Sequence, residues 1–486
     1  MKIKELLDES RALLYGNPES EITGIAYDTR KLEPGNLFVC IKGTKSDGHE
    51  YIDKAIELGA GAIAVTDEPE KKLPVPVIKM QDDRASLSAM STIWFGHPAD
   101  DLITIGITGT KGKTTTAFMI YEVLNRAGIP CGLVGSVEYI TGSEHIPSTH
   151  STPESYELQK LMAAMRDNGL KAVVMEVSSQ GLMMKRVGGM TFDYGIFTNF
   201  GTDHIGDGEH KSLEEYFACK RMLFGMSKTG IFNADDPKAE EMMLDQPCEK
   251  ITYGMNGKDY RMSELKLFSE NGSLGVSYHI SGKQDLPVTV CIPGSFNAYN
   301  SLAAFALCSE MGIDIETVTE VLRHIRVRGR VELVNVSKDF SVMLDYAHNG
   351  MALKSLLTTL REYKPKRLVT LFGCGGNRSK DRRYEMGEIS SNMSDFTIVT
   401  SDNPRFEEPD DIIRDILIGI KRGNGEYVAI PDRREAIRYA LSNALPGDCI
   451  VIAGKGHEDY QEIRGVKYHM DDREMIIEEA KALRLI

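Results

Sequence analysis

The chain has 486 residues, 42% apolar and 26% charged, which excludes a disordered polypeptide and is too long for one hydrophobic core, so about three soluble domains are expected. A formal net charge of −14, from 57 Lys and Arg against 71 Asp and Glu, argues against a general nucleic-acid binder, because phosphate backbones are gripped by clustered cations. Eight scattered cysteines show no metal spacing, and no stretch approaches about 18 uninterrupted apolar residues, so a cytoplasmic protein with no membrane partner is expected.

Residues 1–14 read as an amphipathic, charged helix. Short strands follow at 22–27, 37–41, 62–66 and 75–80, with helices at 51–58 and 84–95, which together predict a small α/β domain over 1–98. The turn-rich run from Gly96 to Asp101 marks the first linker. A second domain, 99–329, repeats strand and helix; its runs at 172–177, 194–200 and 230–233 are mostly continuous apolar runs, as in a parallel sheet covered on both faces. Between 260 and 292 the pattern changes to hairpins around Glu270-Asn271-Gly272 and Ser281-Gly282, followed by a helix over 297–312. In 330–486, strands at 342–345, 367–372, 396–400 and 450–453 alternate with helical stretches, predicting a second doubly wound sheet of Rossmann type. The fold class is therefore α/β in three domains, the central one a P-loop ATPase-like, mostly parallel sheet with an antiparallel appendage.

The most informative segment is the strand from Ile103 to Thr108, which passes into Gly109-Thr110-Lys111-Gly112-Lys113-Thr114-Thr115. Glycines that let amides converge, and a helix beginning near Lys113, make an anion cradle at a helix N-terminus. Lys113 would reach terminal phosphates of ATP, and Thr114 would hold Mg2+. The strict spacing asks for glycine at position 107, where this chain has isoleucine. The plainer reading is an ordinary strand-to-helix turn with an exposed lysine; the flanking strand and helix favour phosphate binding.

Polar residues close the neighbouring strands. Glu176 ends one apolar run, and the next leads through Asn199 to Thr202-Asp203-His204. Each is ordinarily a cap or a satisfied surface group; beside a phosphate loop they complete a magnesium shell. Lys220, on the helix over 212–226 with Tyr216 and Phe217, reads from spacing alone as a solvated helix lysine.

The full set of motifs resembles the Mur ligase family in order and spacing. It comprises the phosphate loop, Glu176-Val177-Ser178-Ser179, Asp203-His204 ahead of Lys220, Asn233-Ala234-Asp235-Asp236, Phe296-Asn297-Ala298-Tyr299-Asn300, Gly329-Arg330 and Asp345-Tyr346-Ala347-His348. The resemblance implies a UDP-sugar domain, a central ATPase and a C-terminal amino-acid domain. It implies an ATP-dependent amide ligase in which Lys113, Arg330, Glu176, His204 and Lys220 are catalytic, and Thr114, Glu176, His204 and Lys220 surround the metal, Lys220 as a carbamate formed with carbon dioxide. Asn233, Asp235, Asn297, Asn300, Asp345 and His348 fall at its nucleotide positions. Tyr27, Thr29, Thr44, Lys45 and Ser46 fall at the UDP-sugar positions, and Ser151, Thr152, Ser178 and Arg186 at those of the muramoyl-dipeptide.

Ser401-Asp402-Asn403-Pro404-Arg405 and the run from Ala453 to Gln461 are similar to members that add the third residue to UDP-N-acetylmuramoyl-L-alanyl-D-glutamate, those taking meso-diaminopimelate. Arg405 would grip the distal carboxylate that lysine lacks, as a buried arginine left unpaired without it, and Glu458 would pair with the distal ammonium; Arg378 and Gly454 match as well. Lys111, Val327 and Asn349-Gly350 depart from the commoner pattern toward Gram-positive members, some of which add L-lysine, and Met184 stands where a polar contact is frequent. L-lysine addition, a folylpolyglutamate-type ligase and a non-catalytic nucleotide-binding partner are the alternatives. A monomer is expected.

Overall fold

The computed structural model describes every residue except 44–45, 203–205, 207–209, 271, 328 and 330. The chain divides into two compact units, one of Met1–Tyr253 with Ala306–Met311, the other of Gly254–Phe305 with Gly312–Ile486.

The first unit contains two sheets. The N-terminal one runs in the order Arg11–Tyr15, Val77–Met80, Ala62–Val65, Leu37–Val39, Ile25–Ala26; the last four are parallel and the first is antiparallel to its neighbour. The expected helix over residues 1–14 is not formed. Ile3–Leu6 is a single 3-10 turn and Arg11–Tyr15 is an edge strand, because pairing with Val77–Met80 buries Arg11, whose guanidinium reaches the Leu6 carbonyl and Asp8. Asp82 caps the helix Asp83–Trp94 by accepting from the Ala85 amide.

The second sheet of this unit places Ile103–Thr108 between Phe192–Phe197 and Ala172–Glu176, all parallel. Ser227–Asn233 and Glu249–Gly254 continue it on one side and Cys131–Val134 on the other, also parallel. Glu138–Ile140 and His145–Pro147 add a short antiparallel extension. Helices such as Lys113–Arg126, Ser155–Asp167 and Leu213–Gly225 cover the sheet, so its central strands Ile103–Thr108, Ala172–Glu176 and Cys131–Val134 are almost wholly buried, as their apolar runs require. Every parallel strand then delivers its C-terminal end to one edge, where ligands bind in open α/β sheets.

In the second unit, Tyr260–Glu270, Ser273–Gly282 and Leu286–Val290 form an antiparallel meander, as the two turn signals anticipate. The six-stranded sheet has the order Glu332–Leu333, Ser341–Asp345, Asp448–Ala453, Arg367–Phe372, Phe396–Val399, Glu426–Ala429, and all but the first are parallel. Alternate residues enter opposite cores. Met343, Leu368, Phe372 and Val451 pack with the helices Gly350–Glu362, Lys380–Met393 and Pro409–Ile420, whereas Leu344, Val369, Leu371 and Ile450 pack with Arg433–Ser442 and Asp472–Ala482. That is the doubly wound sheet expected, and its C-terminal edge carries the 373–379, 400–408 and 454–459 loops. Among the described residues no helix is long and apolar enough to cross a membrane.

Candidate active site

The phosphate loop is built as its glycines foretell. Gly109 and Gly112 have φ of +146° and +87°, and Gly112 stands at the N-terminus of the helix Lys113–Arg126. A Cβ on Gly109 would lie 1.9 Å from the Thr198 hydroxyl, so the loop depends on glycine there for contact as well as conformation. The turn is clamped from the end of Phe192–Phe197: the Thr110 amide donates to the Asn199 carbonyl at 2.9 Å, the Lys111 amide to Asn199 Oδ1 at 2.9 Å, and Thr198 Oγ1 to the Lys111 carbonyl at 2.7 Å.

Two ammonium groups converge on one loop carbonyl. Lys113 Nζ donates to Gly109 O at 2.7 Å and to Thr110 O at 3.1 Å; Lys220 Nζ donates to the same Gly109 O at 2.9 Å. Lys220 is 1% exposed and lies over the Tyr216 ring, 4.4 Å from its centroid. The solvated-lysine reading is thereby corrected: the helix turns this position onto the sheet, beneath the loop. Two neighbouring cations beside amides at a helix N-terminus make a strongly anion-seeking cradle.

Glu176 ends its strand level with Ile107 and is 1% exposed. The amide and hydroxyl of Ser136 donate to its two oxygens at 2.7 and 3.0 Å. Gly135 leaves its side open, since a Cβ there would sit 2.8 Å from Oε1. Thr114 and Thr115, half-buried, occupy the first turn of the following helix. Asn233 Nδ2 donates to the Thr198 carbonyl at 2.8 Å while its Oδ1 accepts from the Asp235 amide, tying the next strand end to the loop clamp. His204 lies outside the described residues. His210, which the sequence reading passed over, is 2% exposed with Nε2 2.8 Å from Ser179 Oγ.

A second polar group adjoins Glu176. Thr152 Oγ1 donates to the Glu176 carbonyl at 2.9 Å and accepts from the Ser178 amide, and Ser178 Oγ caps the turn Ser179–Met183. Arg186 Nη1 donates to the Thr152 carbonyl at 2.9 Å, so Thr152, Ser178 and Arg186 are brought together, with half-buried Ser151 adjoining in sequence. Tyr27 donates its hydroxyl to Glu157 at 2.6 Å, and burial with that carboxylate pushes the phenol pKa well up. Thr29 opens the 3-10 turn capped by Asp28, and the Ser46 carbonyl accepts from the Gly43 amide. Thr44 and Lys45 lie outside the described residues.

In the second unit, buried Asn297 and Asn300 bond to one another, Nδ2 of Asn300 donating at 2.9 Å, and Asn297 Nδ2 reaches the Pro293 carbonyl. The Asp345 carboxylate accepts from the amides of Val331 and Ala347, each at 2.8 Å, and exposed His348 packs edge-on against Tyr346. Arg330 lies outside the described residues.

The three C-terminal loops bring the remaining candidates together. The Gly376 amide donates to the Asn403 carbonyl and Arg405 Nη1 to the Gly376 carbonyl, at 2.9 and 2.8 Å. Asn403 Nδ2 donates to Glu458 at 2.8 Å, Pro404 follows in the same loop, and Gly454 leaves room for Asp402, whose Oδ2 would lie 2.8 Å from a Cβ there. Arg378 is exposed at the rim. Arg405 departs from expectation: it is partly exposed, with φ +53°, and its Nε already donates to Glu462 at 3.1 Å, so it is not a buried arginine awaiting a partner. Glu458 likewise has partners in Asn403 and in Lys455, whose fully buried Nζ lies 3.6 Å away. Sequence reasoning missed Arg383, which is 1% exposed and grips both oxygens of Glu407; Glu407 in turn accepts from the Asn377 amide and fixes the Arg378 loop. The Arg383 hydrogen bonds hold the Glu407 carboxyl below its usual pKa.

Three stretches match family models: residues 21–91 the Mur ligase family catalytic domain, 107–308 the Mur ligase middle domain, and 329–456 the Mur ligase glutamate ligase domain. The chain is also 42% identical over 483 residues to the UDP-N-acetylmuramoyl-L-alanyl-D-glutamate--2,6-diaminopimelate ligase of Caldanaerobacter subterraneus subsp. tengcongensis, with 98% of each chain covered. The chain belongs to the Mur ligase family. A Clostridium acetobutylicum relative, UDP-N-acetylmuramoyl-L-alanyl-D-glutamate--2,6-diaminopimelate ligase 1, is 42% identical across 99% of this chain and 100% of its own. A solved UDP-N-acetylmuramoyl-L-alanyl-D-glutamate--2,6-diaminopimelate ligase superposes with a TM-score of 0.74 at 27% identity, covering 100% of this chain and 99% of that one. The Thermotoga maritima MurF ligase in complex with ADP, at 19% identity and a TM-score of 0.58 over 95% of this chain and 97% of its own, shares the fold. Membership of the Mur ligase family accounts for the parallel strands of the three larger sheets and for the phosphate loop at the C-terminal edge of the sheet that holds Ile103–Thr108.

Proposed function

We propose that this Mur ligase adds meso-diaminopimelate to UDP-N-acetylmuramoyl-L-alanyl-D-glutamate with conversion of ATP to ADP and phosphate, a reading supported by relatives named as 2,6-diaminopimelate ligases of that acceptor. The reading rests above all on the convergence of the Lys113 and Lys220 side chains on the Gly109 carbonyl, beneath a glycine loop at a helix N-terminus.

A carboxylate is a poor acyl donor because oxide is its leaving group. Transfer of the γ-phosphoryl group of ATP onto the D-glutamyl carboxylate makes phosphate the leaving group instead. The amine attacks the acyl carbon, the tetrahedral adduct expels phosphate, and the amine proton passes to solvent or a nearby base. Phosphoryl transfer needs chiefly alignment and charge neutralisation, which the loop amides and Lys113 supply. Thr114 and Glu176 are hard oxygen donors, and the open flank left by Gly135 beside Glu176 fits a magnesium ion, which when bound would neutralise phosphate charge. Lys220 in this reading is carbamylated, which exchanges one of two crowded cations for an oxygen donor and relieves their repulsion. His204 and Arg330 retain the metal and phosphate roles implied by the family resemblance. Thr152, Ser178 and Arg186 hold the peptide end of the acceptor, and Tyr27, Thr29, Thr44, Lys45 and Ser46 its UDP-sugar.

In the second unit Arg405 offers a guanidinium held in place by Glu462 and Gly376, whose remaining donors suit the distal carboxylate of diaminopimelate. Discrimination against lysine then follows from losing a charge-assisted contact rather than from stranding a buried cation. The division into 1–98, 99–329 and 330–486 and a monomeric, cytoplasmic enzyme belong to the same proposal.

Phosphate release is the test, with ATP, Mg2+ and the UDP-dipeptide acceptor, comparing meso-diaminopimelate with L-lysine. Preference for diaminopimelate that collapses in Arg405→Ala supports the reading. Preference for lysine overturns the pocket assignment, and no release with either overturns the acceptor assignment.

A further inference from the structure

A charged cluster beside the acceptor residues gathers two arginines on one carboxylate. Arg84, at the start of the helix Asp83–Trp94, and Arg186 both point at a single oxygen of Glu154, with Arg84 Nη1 at 3.1 Å and Arg186 Nε at 3.4 Å. The other Glu154 oxygen is used by the Ser155 amide at the start of the helix Ser155–Asp167. All three side chains are largely buried, with 19%, 16% and 16% exposure for Arg84, Arg186 and Glu154. The Arg186 Nε–H is fully buried, yet its geometry toward Glu154 is not that of a hydrogen bond. Nearby, Asp82 pairs with Lys185 at 2.5 Å, Asp83 accepts from the Arg84 amide at 2.7 Å, and Glu157 accepts from the Tyr27 hydroxyl.

Two guanidinium groups that share one carboxylate oxygen, with a buried Arg186 N–H left without an acceptor, make an arrangement that favours a second anion. The chemistry of that anion follows from its surroundings. Arg186 also holds the Thr152 carbonyl, and Thr152 bonds to the Glu176 carbonyl, so the cluster lies one hydrogen-bonded residue from the candidate metal ligand. The D-glutamyl group of the proposed acceptor carries two carboxylates, one that becomes the acyl phosphate and one that does not react.

We propose that Arg84, together with Arg186, binds the non-reacting carboxylate of the D-glutamyl residue and so decides which of the two carboxylates is presented to ATP. The inference rests on the acceptor reading given above. Arg84 arrives from the N-terminal sheet region and Arg186 from the neighbourhood of Glu176, so the carboxylate recruits both sides of one pocket. Glu154 gathers the two arginines by sharing one oxygen between them.

The test is a cycle of enzyme variant against substrate analogue. Wild type, Arg84→Gln and Arg84→Lys are assayed with the UDP-dipeptide acceptor and with its analogue in which the non-reacting carboxylate is a primary amide. In wild type, amidation should raise the acceptor KM at least tenfold with the KM for ATP and for the amine unchanged. Arg84→Gln should raise the KM for the natural acceptor similarly, and the amidation penalty should shrink several-fold in that variant, with partial recovery in Arg84→Lys. An amidation penalty of equal size in wild type and Arg84→Gln overturns the proposal, as does a fall in melting temperature with every KM unchanged, which would make the cluster a structural clamp. Absence of turnover by wild type with the natural acceptor would instead overturn the underlying acceptor assignment.

Discussion

Replacing Gly109 by alanine should disable nucleotide binding while leaving the two sheets of the first unit folded. The added methyl would lie 1.9 Å from Thr198 Oγ1, 3.0 Å from the Asn199 carbonyl oxygen and 3.1 Å from the Asn199 nitrogen, on a backbone with φ +146°. An L-residue in such a backbone region costs about 1–3 kcal/mol. Rotating Thr198 away would sacrifice its hydrogen bonds to the Lys111 and Thr108 carbonyls, worth about 0.5–1.5 kcal/mol each, and would not relieve the Asn199 contacts. The loop therefore moves, and with it the carbonyl on which Lys113 and Lys220 converge. Since about 1.4 kcal/mol is tenfold in affinity, Mg-ADP binding measured by titration calorimetry should weaken at least tenfold, with a melting temperature a few degrees lower. Thr198→Ala removes the closest contact, so the alanine penalty should be smaller in that background, giving a coupling of about 1 kcal/mol or more. Wild-type ADP affinity in Gly109→Ala, or strict additivity with Thr198→Ala, would refute the reasoning.

Lys220→Met should preserve folding, because the ammonium lost from the Gly109 carbonyl and the Tyr216 face was also costly to desolvate, yet phosphate release should fall by at least about a hundredfold; near-normal turnover would remove Lys220 from the site. Glu407→Gln should destabilise the second unit near neutral pH and flatten its acid limb. The folded carboxyl titrates below its unfolded value, so its contribution is complete above the unfolded pKa of about 4.3 and is lost as pH falls through the folded one; melting curves from pH 7 to 3 that match wild type in slope would contradict this.

Local pattern was enough wherever one face or one turn decides structure. The glycine-punctuated loop, the meander turns near Gly272 and Gly282, and the alternating strands of the C-terminal sheet all follow from it. It failed at Arg11–Tyr15, where a charged, leucine-containing segment becomes a strand only because Val77–Met80, far along the chain, pairs with it. It failed again at Lys220, since a helix carries no mark in its sequence of what its polar-looking face will meet, and the Gly109 carbonyl lies over a hundred positions earlier. Arg405 and Glu458 were recognised as residues but not as partners of Glu462 and Lys455, because pairings between loops exist only once the parallel strands have set those loops side by side. Arg84 and Glu154 stayed hidden for the same reason: each is an unremarkable helix-start charge until Arg186 is brought to them.

The stitching of the Gly376 turn to Asn403 and Arg405 bears on how an amino-acid preference can change over evolutionary time. A side chain at position 376 would begin 1.9 Å from the Pro404 carbonyl and one at 373 would begin 2.5 Å from the Thr400 carbonyl, so these two positions set how near the two walls can approach. The sheet beneath is packed by residues that point away from the loops, and it would not register the difference. Selection acting on those two positions can thus part the walls and admit a bulkier or differently charged amine while the scaffold remains unaltered.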